Sequence, residues 1–85
     1  MQIELSSDAK IHLDFWRKYG NKTILKKIEK LVDAILESPY EGIGKPEPLK
    51  HNLAGCWSRR IDKEHRLVYE VTENLITVLG MKGHY

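Results

Sequence analysis

Three kinds of side chain in this sequence are suited to moving protons and holding phosphate. There is a carboxylate, Glu47, set between Pro46 and Pro48; a run of cations, Lys45, Lys50, Arg59, Arg60, Lys63 and Arg66; and the histidines His12, His51, His65 and His84, the last beside Tyr85. Cleavage of RNA without a metal needs these types: a base near the ribose 2′-hydroxyl, an acid near the leaving 5′-oxygen, and cations for the charge growing on the phosphorane. The flanking prolines restrict the backbone and present Glu47 rigidly, as a general base requires. An arginine offers a fixed, always charged fork to phosphate oxygens, and a histidine, with a reference pKa of about 6.5, donates a proton near neutrality.

Each of these residues also has an ordinary reading. A loop glutamate is more often plain surface, and a C-terminal histidine a solvated tail. Trp57 and Tyr69 read as core rather than base-stacking platforms, while Trp16 and Tyr40 fit either role. Arg59 and Arg60 read as exposed strand charges, and being adjacent they point to opposite faces, so only one reaches a site. Cys56 has no thiolate-activating neighbour in the sequence, and His12, His51 and His65 have no metal-binding spacing, so no metal site is expected.

The elements that position these groups can be read from periodicity. Ile3 and Leu5 alternate with Gln2 and Glu4 as a short opening strand before the capping cluster Ser6-Ser7-Asp8. Ile11, Phe15 and Tyr19, at four-residue spacing beside Leu13 and Trp16, make a first helix that Gly20 stops and after which Asn21 caps a second. In that second helix Ile24, Leu25, Ile28, Leu31, Val32, Ile35 and Leu36 form one apolar stripe, ended at Ser38-Pro39. Residues 40–52, with two glycines and two prolines, read as an ordered loop. Three strand-like runs follow, Leu53 to Ile61, His65 to Thr72 and Leu75 to about Gly83, broken by short polar turns that suit an antiparallel meander. The order β-α-α-β-β-β predicts an α+β fold, a helical hairpin on one face of a mainly antiparallel four- to five-stranded sheet. The other face is left wet and concave. Period-two alternation puts Ile76, Val78, Gly80, Lys82 and His84 on one side, where Arg66, Lys82 and His84 can converge.

Composition bounds the classes of function. The 85 residues make a single domain over 1–85, and 41% apolar with 31% charged residues excludes a disordered chain. A core this small contributes only a few kcal/mol of net stability, so a partner can add much of the rest. The net charge is +2, with all the excess in residues 45–85, and between Lys45 and Arg66 six basic residues face three acidic ones. Such a density attracts phosphates if the fold gathers it on one face. Cys56 is the only cysteine, which excludes an intramolecular disulfide and a multi-cysteine zinc site and suits a reducing cytoplasm. The opening Met1-Gln2-Ile3-Glu4-Leu5 has no basic segment or apolar run of a secretory signal, and no stretch approaches the roughly 18 apolar residues of a membrane span.

The run from Gly42 to Gly55, Gly-Ile-Gly-Lys-Pro-Glu-Pro-Leu-Lys-His-Asn-Leu-Ala-Gly, then Trp57-Ser58-Arg59-Arg60-Ile61, closely resembles the YoeB toxins of the RelE/ParE superfamily. Glu64-His65-Arg66-Leu67-Val68-Tyr69 and His84-Tyr85 extend the likeness, and the element order carries it over the whole chain. The resemblance implies a ribosome-dependent endoribonuclease, an mRNA interferase that cuts the codon in the ribosomal A site. It also implies a cognate, YefM-like antitoxin that blocks the enzyme, and a homodimer. Carried over residue by residue, it makes Glu47 the general base, His84 the general acid, Arg66 the stabiliser of transition-state charge and Tyr85 the residue that orients substrate. Lys50 and Arg60 match basic positions near the RNA path, and Lys82 is a third candidate there. No cofactor is implied. The chain departs from the pattern at Met81-Lys82-Gly83, where the family often carries arginine and an aromatic, and at Cys56, where an aromatic is expected. RNA bases are therefore contacted differently at these two places.

Two other functions compete. A ParE-like toxin of the same fold inhibits a topoisomerase by binding, because fold does not fix function. A non-enzymatic module would use the basic sheet face to hold nucleic acid. Glu47, Arg66 and His84 together favour the nuclease, since neither rival needs an acid and a base.

Overall fold

In the computed structural model, which describes residues 1–83, five strands and two helices alternate as β1 (Gln2–Leu5), α1 (Ser7–Tyr19), α2 (Lys22–Glu37), β2 (Glu47–Pro48), β3 (Cys56–Arg60), β4 (Arg66–Val71) and β5 (Leu75–Gly80). Ser6 starts α1 as read from the sequence: its side chain accepts the Ala9 N–H at 3.1 Å, while its hydroxyl donates to the Leu79 carbonyl at 3.1 Å. Asn21 starts α2 by accepting the Ile24 N–H at 2.9 Å, and each such cap is worth about 1 kcal/mol. At the other end the Ser38 N–H donates to Ala34 O at 2.9 Å, and Pro39 prevents further turns.

The sheet order is β1-β5-β4-β3-β2, with β1 parallel to β5 and the remaining pairs antiparallel. One face carries both helices. Ile28, Leu31 and Ile35 of α2 and Ala9 and Trp16 of α1 pack with Leu67, Tyr69, Ile76, Val78 and Met81 of the sheet side. Burying an aliphatic side chain of this size stabilises by about 1.5–3 kcal/mol, so this layer is the main source of stability. The stripe of α2 is as expected, apart from Leu36, which is 36% exposed. The stripe of α1 is not: Ile11 and Tyr19 are 64% and 67% exposed, and the buried line runs through Ala9 and Trp16 instead. Among the described residues no helix is long and apolar enough to cross a membrane.

Three expectations about the sheet need correction. The loop 40–52 is not wholly irregular, because Glu47 and Pro48 pair with Ser58 and Trp57 as an edge strand. Proline is tolerated there because an edge strand leaves one side of its ladder unpaired. Next, β3 begins at Cys56 rather than Leu53, since His51–Leu53 form a turn of 3-10 helix and Gly55 sits at φ 95°. Last, a register shift between Val68 and Tyr69 pairs Tyr69 with Val78 but Val68 with Gly80, which adds one residue to β5. This bulge reverses the alternation, so Met81 joins Ile76 and Val78 in the core rather than opposing them.

Candidate active site

Residues directly opposite in a sheet project to the same face. The register Glu47↔Ser58↔Val68, with Arg60↔Arg66 beside it, therefore gathers Glu47, Ser58, Arg60 and Arg66 on the face away from the helices. The Arg66 guanidinium joins three strands: its Nε donates to Ser58 Oγ at 2.9 Å and its Nη2 to Glu47 Oε2 at 3.2 Å. Arg66 has only 12% of its side chain exposed, whereas Glu47 has 60%. The cation is thus held within the sheet surface and the carboxylate faces solvent. This strip is drier than the wet face expected, with Ser58 and Val68 buried, because the Arg66 side chain lies against Ser58.

Glu47 is placed by a rigid approach. The loop from Ser38 to Gly44 wraps the fully buried Arg59, whose Nη2 donates to Ser38 O at 2.6 Å and Glu41 O at 2.9 Å, whose Nη1 donates to Ile43 O at 3.1 Å, and whose Nε donates to Tyr69 Oη at 3.1 Å. The Tyr69 hydroxyl in turn donates to Pro39 O. Gly44 closes the loop at φ 84°, and a Cβ there would stand 2.7 Å from Leu31 Cδ2 and 3.0 Å from Arg59 Cβ. Only glycine fits that conformation in that space. Its carbonyl accepts the Arg60 N–H at 2.6 Å, which hands the chain to Lys45 and Pro46 at the sheet edge. Among the described residues Lys45 and His51, at φ 51° and 60°, are the two non-glycine residues with left-handed backbone, and they bracket Glu47. Such conformations cost about 1–3 kcal/mol each and tend to collect at working sites.

The other expected residues fall in different places. Lys50 lines a shallow depression of about 280 Å³ together with Glu47 and His51. Arg60 is exposed next to Arg66 and opens onto a second depression of about 370 Å³ that Lys27, Lys45 and Lys63 also line, with Asp62 the sole acid there. Lys82 does not converge with Arg66. Beyond the bulge its ammonium lies 4.2 Å from the centre of the Phe15 ring, on the α1 side. His84 and Tyr85, the expected acid and substrate-orienting residue, lie outside the described residues.

Arg59 is a structural cation rather than an exposed strand charge, and Arg60 alone of the pair reaches the site face. Trp16 and Tyr69 are core, and Tyr40, 52% exposed, packs its ring at a tilt against Trp57 with the ring centres 5.0 Å apart. Cys56 is buried, and burial pushes its thiol pKa up, with the nearby Glu70 charge adding to the rise. A thiol held neutral is a poor nucleophile. Burial also raises the Tyr69 phenol, although Arg59 opposes that rise. Among the described residues no group of three His, Cys, Asp or Glu side chains is placed to share a metal ion. Ser58 was not identifiable as part of the site from sequence, although its shared parity with Arg60 and Arg66 was visible.

The chain matches, over residues 6–85, the family model of the YoeB-like toxin of bacterial type II toxin-antitoxin systems. Toxin YoeB of Escherichia coli K12 is 51% identical over 71 residues, covering 84% of this chain and 83% of that protein. The solved YoeB dimer from Staphylococcus aureus superposes with a TM-score of 0.90 at 43% identity, covering 100% of this chain and 98% of that one. The YoeB-YefM complex from the same organism gives 0.87 at 45% identity, covering 98% and 95%. With the matched fold and a matched sequence that spans Glu47, Ser58, Arg60 and Arg66, the chain belongs to the YoeB-like toxins of bacterial type II toxin-antitoxin systems.

Proposed function

We propose that this toxin is an endoribonuclease that cuts mRNA in the ribosomal A site with its own side chains. The observation that carries the reading is the Arg66 fork, tied to Glu47 at 3.2 Å and to Ser58 on one sheet face, with Arg60 alongside. At neutral pH a glutamate is an acceptor-only carboxylate, and Glu47 takes the proton of a ribose 2′-hydroxyl. The freed 2′-oxygen attacks the adjacent phosphorus. Arg66, held in plane by Ser58 and Glu47, offers its remaining N–H donors to the phosphorane oxygens, whose charge it offsets. His84 gives a proton to the departing 5′-oxygen, so the bond to that oxygen breaks as the 2′-bond forms. The products are a 2′,3′-cyclic phosphate and a 5′-hydroxyl, and Tyr85 orients the substrate. Lys50 and Arg60 hold the flanking phosphates.

The partners follow from the setting. The S. aureus YoeB-YefM complex supports a YefM-like antitoxin for this chain, and the S. aureus YoeB dimer supports self-association. The ribosome and its mRNA are the substrate, and the cytoplasm is the site of action. Primer extension on mRNA from a translating extract tests the reading with wild type, Glu47→Ala and His84→Ala, each checked for folding. Sharp cuts within codons, reduced at least about a hundredfold in both variants, are expected of a lost acid or base. Intact mRNA with growth still arrested would make topoisomerase inhibition the better account.

A further inference from the structure

We propose that His65, with His12 and Trp16, positions the reactive end of the chain by gripping the peptide groups of Met81 and Gly83. The Met81 N–H donates to His12 Nδ1 at 3.0 Å, and the Met81 carbonyl accepts Trp16 Nε1–H at 2.9 Å. The Gly83 N–H donates to His65 Nδ1 at 2.9 Å, and its carbonyl accepts the Arg66 N–H at 3.0 Å. The N–H and the carbonyl of both residues are therefore held beyond the end of β5, three of the four bonds by side chains of His12, Trp16 and His65. The Trp16 and His65 rings meet edge to face at 4.8 Å, which joins the two grips.

A backbone amide can only donate. The bare Nδ1 of each histidine is therefore an acceptor, and in the neutral ring the proton sits on Nε2, which for His65 faces the Glu64 carboxylate at 3.8 Å. Phenylalanine would reproduce the ring against Trp16 but not the acceptor, while asparagine would place Oδ1 near the position of Nδ1 without the ring. Gly83, with φ 91°, immediately precedes His84, and its carbonyl is fixed to the backbone of Arg66. The grip thus fixes the Gly83 carbonyl, the backbone group that precedes His84, relative to Arg66. His65 touches no substrate and acts through the backbone. This role rests on the assignment of His84 as the acid.

The test combines hydrogen exchange at the Gly83 amide with single-turnover cleavage of ribosome-bound mRNA, for wild type, His65→Phe, His65→Asn and His84→Ala. We expect His65→Phe to lose about tenfold of the Gly83 protection and about tenfold in kcat with KM within about twofold, the size of one hydrogen bond. His65→Asn restores most of both. Unchanged Gly83 exchange in a folded His65→Phe, or lost protection with unchanged kcat, would overturn the proposal. So would an Asn variant no better than Phe, since ring packing alone would then explain the effect. Full activity in His84→Ala would instead sink the catalytic assignment, while the exchange arm still decides whether His65 holds the segment.

Discussion

At the scale of single residues, the question is what the Glu47–Arg66 contact is for. A partly exposed ion pair of this kind contributes about 0–1 kcal/mol to stability, too little to explain its burial cost at Arg66. Its value lies in orientation. A guanidinium free to rotate would spread its donors over many directions, whereas bonds from Nε to Ser58 and from Nη2 to Glu47 fix its plane. Ser58→Ala, which leaves the Arg66 Nε–H without its acceptor, should therefore cost about 1–2 kcal/mol in unfolding and, in the folded protein, lower kcat/KM for ribosome-bound mRNA about tenfold. Equal activity would mean that Glu47 alone orients the arginine. Glu47 and Arg66 were legible in the sequence mainly because they fall in the runs that resemble the YoeB toxins, since by type alone a loop glutamate reads as plain surface; the register then brings the two side chains together. Ser58 was not, because a serine in a strand has no chemical mark until the register brings an arginine to it.

At the scale of elements, the loop between α2 and β2 leads into Glu47, the proposed base, and its stiffness comes from a residue on another strand. Among the described residues Arg59 hydrogen-bonds to no carboxylate. Its charge is satisfied by the dipoles of three loop carbonyls and a tyrosine hydroxyl, and the side chain is fully buried. Arg59→Met keeps length and apolar volume but leaves those acceptors without a donor. It should cost about 3 kcal/mol or more in urea unfolding, and in the folded fraction activity should fall as Glu47 loses its placement. A loss under about 1 kcal/mol would show that the turns at Gly42 and Gly44 hold the loop unaided. The helix spans were legible, with caps at the Ser6-Ser7-Asp8 cluster and at Asn21, because capping and periodicity are local, whereas the buried face of α1 was not, since it runs through Ala9 and Trp16 rather than Ile11 and Tyr19. Arg59 was misread because its partners are backbone carbonyls at residues 38, 41 and 43, which no side-chain pattern announces. The bulge opposite Val68 and Tyr69 was equally hidden, and with it the displacement of Lys82 from the Arg66 face to Phe15.

At the scale of the whole molecule, the charge distribution decides how much of the substrate affinity the toxin can supply. A net charge of +2 gives little long-range attraction. On the site face the cations near the Glu47–Arg66 pair are Arg60 and Lys50, with Lys27, Lys45 and Lys63 grouped around the neighbouring depression. If Lys50, Arg60 and Arg66 each neutralise one phosphate, affinity for free single-stranded RNA should fall with salt at a log–log slope of about −2. Raising salt from about 50 to about 200 mM then weakens binding about twentyfold, from an affinity already low. Anisotropy with a labelled oligonucleotide measures this directly. A slope near −2, with slow cleavage of the same RNA and fast cleavage on the ribosome, means that the ribosome holds the codon and the toxin supplies only the acid, the base and the fork. A slope near −4 would mean that the lysine-lined depression also binds RNA. Cleavage of free RNA at the ribosomal rate would show that the site positions its substrate alone, and the need for a ribosome would then have to be abandoned while the acid–base chemistry stood.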